Sequence, residues 1–111
     1  MADRLSRGDV CYFRFPAPDK QRPVLILTRD SAIGYLSTVT VAPITSTVRG
    51  VPSEVVLDIE DGMKTRCAVN LVNTLTVSQG RLLRRIAHLS DMRMQEVCQA
   101  LGFALGCDRR V

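Results

Sequence analysis

Arg22 opens the apolar run Pro23-Val24-Leu25-Ile26-Leu27, and Thr45 closes a second run, Val41-Ala42-Pro43-Ile44. Each reads as a strand with a polar residue at one end. Placed side by side in a sheet, the two would bring a fixed cation and a hydroxyl to one patch of surface. A guanidinium presents a planar fork of N–H donors and a hydroxyl adds one more, which together can grip a phosphate. The chemistry this pair points to is phosphodiester handling, with neither a metal nor a nucleophilic cysteine.

Composition narrows the setting. A chain of 111 residues is expected to form one small domain with an adequate core. Its 46% apolar and 23% charged content is ordinary for a soluble globular protein. The net charge is +4, from thirteen Arg and two Lys against 11 acidic residues. Arginine favours a nucleic-acid or other polyanion partner, although a GC-rich genome would produce the same bias, so charge alone does not decide. With two Tyr, three Phe and no Trp, an aromatic platform for stacking several bases is not expected. Cys11, Cys67, Cys98 and Cys107 lack metal-ligand spacing, and the single histidine, His88, has no ligand-like neighbour. Neither a metal nor a cofactor is therefore expected. No secretory segment is apparent and the cysteines sit in apolar patterns, so they read as free, mostly buried thiols of a cytoplasmic protein. No apolar run approaches the roughly 18 residues of a membrane span.

The elements that must position Arg22 and Thr45 follow from periodicity. Residues 1–6 read as a frayed polar leader. Gly8 to Phe15 alternates as a strand, Pro16 to Gln21 is a short stiff loop, and Pro23 to Thr28 is a buried strand with its proline at the first position. Asp30 to Gly34 is a turn or single helical turn, and a β-branched third strand covers Leu36 to Ala42. A polar loop from Ser46 to Pro52 precedes strands at Glu54 to Asp58, Thr65 to Leu71, Leu75 to Val77 and Leu82 to Leu89. The period then changes. Ser90 reads as an N-cap, Met94, Val97, Cys98, Leu101 and Leu105 recur at helical spacing, and Gly106 ends the helix. The expected fold is mainly β with α: a small SH3-like β-barrel closed on one side by an amphipathic C-terminal helix.

From about Ser6 to Gly106 the chain resembles the MazF/PemK-type toxins of bacterial toxin–antitoxin systems. The resemblance rests on Arg7-Gly8-Asp9-Val10, on Arg22 to Leu27, on Val41 to Thr47, and on Arg49 to Val55 with Ile59 to Met63. Asn73 to Val77 and the terminal helix follow in the family's order. The resemblance implies a homodimeric endoribonuclease that cuts single-stranded RNA at a short sequence without metal. It also implies a cognate antitoxin with an acidic, partly disordered segment that occludes the site. Arg22 and Thr45 match the family's active-site arginine and threonine. The chain departs from the family in its short Pro16–Gln21 loop and in lacking a glutamate just before the arginine. It also has Asn73 and Leu75 where many members carry glutamine and arginine.

Cleavage through the RNA's own 2′-hydroxyl sets three tasks: taking the hydroxyl proton, stabilising the charge on phosphorus, and protonating the departing 5′-oxygen. Arg22 suits the second as a charge clamp, and by resemblance it also serves the third. Thr45 can fix a non-bridging oxygen for in-line attack. Asp19, Lys20, Ser46, Thr47, Arg49 and Asn73 are the further candidates for RNA contact, with Arg14 a secondary one. Arg81, Arg84 and Arg85 read as a solvated face. Asp19 reads more readily as a turn former and His88 as a half-exposed strand residue, so the sequence assigns no general base. Two other readings stay open: a non-catalytic toxin that poisons a protein target, and an SH3-like interaction module. The first would not need the Arg22–Thr45 pair, and the second would need more aromatic residues.

Overall fold

The computed structural model describes residues 4–16 and 20–107. A hairpin of β1 (Asp9–Arg14) and β2 (Gln21–Ile26) is followed by a single turn of helix, α1 (Asp30–Ile33). The strands β3 (Thr38–Thr45), β4 (Glu54–Leu57), β5 (Cys67–Asn70), β6 (Leu75–Ser78) and β7 (Leu82–His88) follow, and α2 (Asp91–Leu105) ends the fold. The strands lie in the order β4-β5-β3-β2-β1-β7, with β6 also on β3, and their ladders are antiparallel.

β3 organises the sheet. It pairs with β6 along Thr38–Val41, with β2 along Val41–Pro43, and with β5 at Ile44 and Thr45. β5 and β6 thus follow β3 as one companion interrupted by the turn Leu71–Asn73. Leu71 is fully buried and anchors that turn, and the Asn70 side chain accepts the Val72 N–H at 3.0 Å. β2 lies between β1 and β3 and begins at Gln21, so Pro23 is neither a first residue nor on an edge. The β2–β3 ladder runs only from Val24 to Ile26, which suits a proline with no N–H to offer. β3 also extends three residues beyond the expected Ala42, which puts Thr45 on a strand end.

The central strands are apolar on both faces because they separate two cores. Val10, Leu25, Ile44, Leu57, Leu71 and Val97 belong to the core beneath α2. Phe13, Val24, Ile26, Ile33, Val39 and Val41 form the other. Each such side chain contributes about 1.5–3 kcal/mol on full burial. The expected barrel with a helix is met in part. No ladder joins β7 to β4 among the described residues; side chains and turns fill that side. Helix α2 packs on β4 and on the Leu71–Asn73 turn. The turn after β4 lies against β7, where Gly62 has φ 93° and a Cβ would come within 3.1 Å of the Ala87 methyl. Any larger residue there is both strained and crowded.

Ser90 caps α2 by accepting the Arg93 N–H at 3.1 Å, and Gly106 ends it in the left-handed conformation. The buried stripe runs through Met94, Val97 and Ala100. The expected stripe holds at Met94, Val97 and Leu101, which packs against the core, whereas Cys98 and Leu105 face outward, because the helix meets the sheet along the 94–97–100 edge. Only half of the expectation of buried thiols holds: Cys11 and Cys67 are buried, whereas Cys98 and Cys107 are exposed. Burial, reinforced by the nearby Asp9 charge, pushes the Cys11 thiol up to about 11. No helix among the described residues is long and apolar enough to cross a membrane.

One ion pair ties α2 to the turn after β4. The Arg93 guanidinium donates to both carboxylate oxygens of Asp61, at 2.9 and 3.1 Å, and to Glu96 at 2.9 Å. The fork from Arg93 holds the Asp61 carboxyl below its ordinary value of 3.8. A depressed carboxylate contributes stability that is complete above its unfolded value and is lost as pH falls through the folded one. Arg93→Ala is therefore expected to cost about 2 kcal/mol near neutral pH, for a charged pair that is mostly shielded from water. Urea unfolding of the two proteins should show that difference shrinking as pH drops below 3.8; a pH-independent difference would assign the effect to packing.

Candidate active site

The register of the sheet brings Arg22 and Thr45 together. Val24 faces Pro43, Leu25 faces Ala42 and Ile26 faces Val41. Continued two residues past Val24, that register sets Arg22 opposite Thr45. There β3 leaves β2 and takes up β5, so the two side chains stand in a fork between diverging strands. Residues opposite one another in an antiparallel ladder share a face, which extends the row further. Thr45 faces Ala68, Asn70 lies two residues along the same face, and Asn70 faces Glu54. Arg22, Thr45, Asn70 and Glu54 thus share one side of four neighbouring strands.

Two cavities flank the pair, and both include Arg22, Ile44 and Thr45. The larger, about 400 Å³, is further lined by Phe15, Thr47, Arg49, Glu54, Asn70 and Asn73. The smaller, about 230 Å³, continues past Tyr12, Ser46 and Lys64. Among the described residues, cations outnumber anions along this surface: Arg22, Arg49 and Lys64 against the single carboxylate of Glu54. Arg84 adds positive charge at its border, its guanidinium 5.4 Å from the centre of the Tyr12 ring.

Local hydrogen bonds prepare the hydroxyl and its loop. Thr45 Oγ1 accepts the Thr47 N–H at 3.1 Å. With that lone pair engaged, the hydroxyl hydrogen is available to donate outward. Glu54 Oε1 accepts the N–H groups of Arg49 at 3.0 Å and Gly50 at 3.1 Å, fastening the loop that carries Arg49. A cation fork, a donating hydroxyl, one polar cleft and one more apolar cleft form a site able to hold a phosphodiester with a nucleotide on either side.

The candidates from the sequence divide unevenly. Thr47, Arg49 and Asn73 line the larger cavity and Ser46 the smaller. Lys20 is exposed just before β2 and lines neither, and Arg14 is exposed at the end of β1. Asp19 lies outside the described residues. Arg81 and Arg85 are engaged elsewhere, Arg81 over the Phe13 ring at 5.4 Å and Arg85 with Asp9 at 3.3 Å. His88 is held by Asp9 at 2.8 Å, facing a different cavity. Sequence reasoning missed Glu54, Asn70, Phe15 and Tyr12; only the cross-strand register would have placed them beside Arg22. Among the described residues, no group of three or more His, Cys, Asp and Glu side chains could hold a metal ion.

A curved antiparallel sheet backed by a helix, with this fork between two clefts, defines a small domain of mixed strand and helix. Comparison with known families places it more closely: the chain belongs to the family described as PemK-like, MazF-like toxin of type II toxin–antitoxin systems, which matches residues 6–105. It is 43% identical over 105 residues, covering 94% of this chain and 95% of the relative, to the probable endoribonuclease MazF5 of Mycobacterium tuberculosis strain H37Rv. Among solved structures, the M. tuberculosis toxin MazF-mt6 superposes with a TM-score of 0.81 at 38% identity, over 88% of this chain and 96% of that one. A mycobacterial endoribonuclease in complex with its cognate antitoxin shares the fold, with a TM-score of 0.83 at 23% identity over 93% and 96% of the two chains.

Proposed function

We propose that this chain is the toxin of a type II toxin–antitoxin pair and acts as a metal-independent endoribonuclease on single-stranded RNA. The observation that carries the reading is the placement of Arg22 and Thr45 opposite each other in the fork between two cavities. A scissile phosphate seated there receives the guanidinium fork on its non-bridging oxygens and a hydrogen bond from the Thr45 hydroxyl. The flanking nucleotides occupy the two clefts. In the larger, the Phe15 ring offers a stacking face and Asn70 and Asn73 offer polar edges, while Arg49 meets the backbone. The 2′-hydroxyl beside the phosphate is the nucleophile, so the RNA brings its own attacking group.

Membership in the family and the likeness to endoribonucleases support this reading. The cationic groove suits an antitoxin with an acidic, partly disordered segment, which would compete with RNA by charge. We extend the proposal to a homodimer working in the cytoplasm. The test is incubation of mixed-sequence single-stranded RNA with the purified protein in EDTA, followed by mapping of the new ends. Cuts at one short motif, abolished when the nucleotide before the cut carries 2′-deoxyribose, are expected. RNA left intact by folded protein would move the assignment to a toxin with a protein target.

A further inference from the structure

Neither the Arg22 guanidinium, which only donates, nor the Thr45 hydroxyl is suited to taking the 2′-hydroxyl proton. We propose that Glu54 is the general base, an inference that rests on the ribonuclease reading above. Glu54 opens β4 directly across from Asn70, on the sheet face shared with Arg22 and Thr45, and lines the 400 Å³ cavity with both. Among the described residues it is the only carboxylate lining either cavity of the site. The N–H groups of Arg49 and Gly50 both bind its Oε1, which fixes the carboxylate and leaves Oε2 to meet the hydroxyl. A carboxylate in a groove for phosphates works against affinity, so its place there calls for a task other than binding the backbone. Proton acceptance is such a task. His88 is no rival, since Asp9 holds it beside a cavity that includes neither Arg22 nor Thr45.

In the step, the 2′-O–H proton passes to Oε2 of Glu54 as the 2′-oxygen bonds to phosphorus. The bond from phosphorus to the 5′-oxygen breaks, its electron pair leaves with that oxygen, and water supplies the proton there. The products are a 2′,3′-cyclic phosphate and a 5′-hydroxyl, and Glu54 returns its proton to solvent.

Glu54→Gln separates this role from a structural one. Glutamine keeps a carbonyl oxygen to accept the Arg49 and Gly50 N–H groups but cannot take the proton. The measurement is single-turnover cleavage of an RNA oligonucleotide, containing a site mapped for the wild type, across pH. Affinity for the same oligonucleotide with a 2′-deoxy scissile position is measured alongside. The wild-type rate should rise with pH on its acid side, as a rate set by a general base does. Glu54→Gln should cleave about 100-fold more slowly or worse, lose that rise, and bind the deoxy oligonucleotide within about threefold of wild type. Glu54→Asp should retain the rise at a lower rate. Cleavage by Glu54→Gln within about tenfold of wild type, with the pH profile intact, would leave Glu54 as a loop anchor only. A shift in cleavage sites at an undiminished rate would make it a base-reading residue instead. Should Glu54→Gln fail to fold, the wild-type profile decides, because a flat acid side overturns the assignment. Wild-type protein that cuts no RNA refutes the ribonuclease reading itself, and is recognised before any variant is compared.

Discussion

Replacing Arg22 by alanine is expected to slow single-turnover cleavage of single-stranded RNA by about 1,000-fold. The phosphorane formed in the reaction carries more negative charge than the bound phosphate, so a cation facing it acts most strongly in the transition state. Loss of one preorganised donor at such a charge typically costs 100- to 1,000-fold, and Arg22 supplies two donors together with a full charge. Lysine at this position is expected to recover less than about one tenth of the lost rate, because an ammonium cannot reproduce the planar fork. Binding of a 2′-deoxy oligonucleotide should weaken far less than the rate falls. Folding should be almost untouched, within about 0.5 kcal/mol, since Arg22 is exposed and stands beyond the last β2–β3 pair. Rapid-quench kinetics and thermal unfolding of the three proteins check both halves. An Arg22→Ala protein that stays folded and cleaves within tenfold of wild type would remove Arg22 from the chemistry.

The Arg22–Thr45 pair was legible because each residue terminates a run of apolar residues, and the resemblance to a family named the same two positions. The row they belong to was not. Glu54 begins Glu-Val-Val-Leu, and local alternation says only that it lies on the opposite face from Val55. That its face is the one bearing Arg22 depends on three successive ladders, β2 with β3, β3 with β5 and β5 with β4. No window of sequence contains those pairings. The same limit explains α2, where the spacing was legible but the side meeting the sheet was not, so Cys98 and Leu105 were assigned to the core in place of Ala100. Pro23 misled for a different reason. A strand proline is safest at an edge, yet here the ladder with β3 stops beside it and the divergence creates the fork.

The largest expected loss of stability from a single polar residue lies at Asp9, which sequence alone placed simply in an opening strand. Asp9 is 1% exposed and faces His88 directly across the β1–β7 ladder. It accepts the Ser6 N–H at 2.8 Å, His88 Nδ1 lies 2.8 Å from its other oxygen, and Arg85 reaches it at 3.3 Å. A carboxylate only accepts, so Nδ1 carries the hydrogen in this bond. The partners come from 76 and 79 residues downstream, which is why no local pattern reveals the contact. Asp9→Ala leaves the Ser6 N–H without its acceptor and opens a void at the start of β1. Breaking a fully buried charged pair costs about 3–5 kcal/mol. The side chains of Arg85 and His88 are 39% and 58% exposed and can turn to water. The expected cost is therefore nearer 2–3 kcal/mol. Asp9→Asn keeps an oxygen for Ser6 and should lose about half as much. Urea unfolding, with a double-mutant cycle through His88→Ala, measures both quantities. A cost for Asp9→Ala below about 1 kcal/mol would mean that water replaces these bonds at little expense. The same bonds account for His88: a ring held at one nitrogen by a buried carboxylate on β1 braces the end of the sheet, beside a cavity that includes none of Arg22, Thr45 and Glu54.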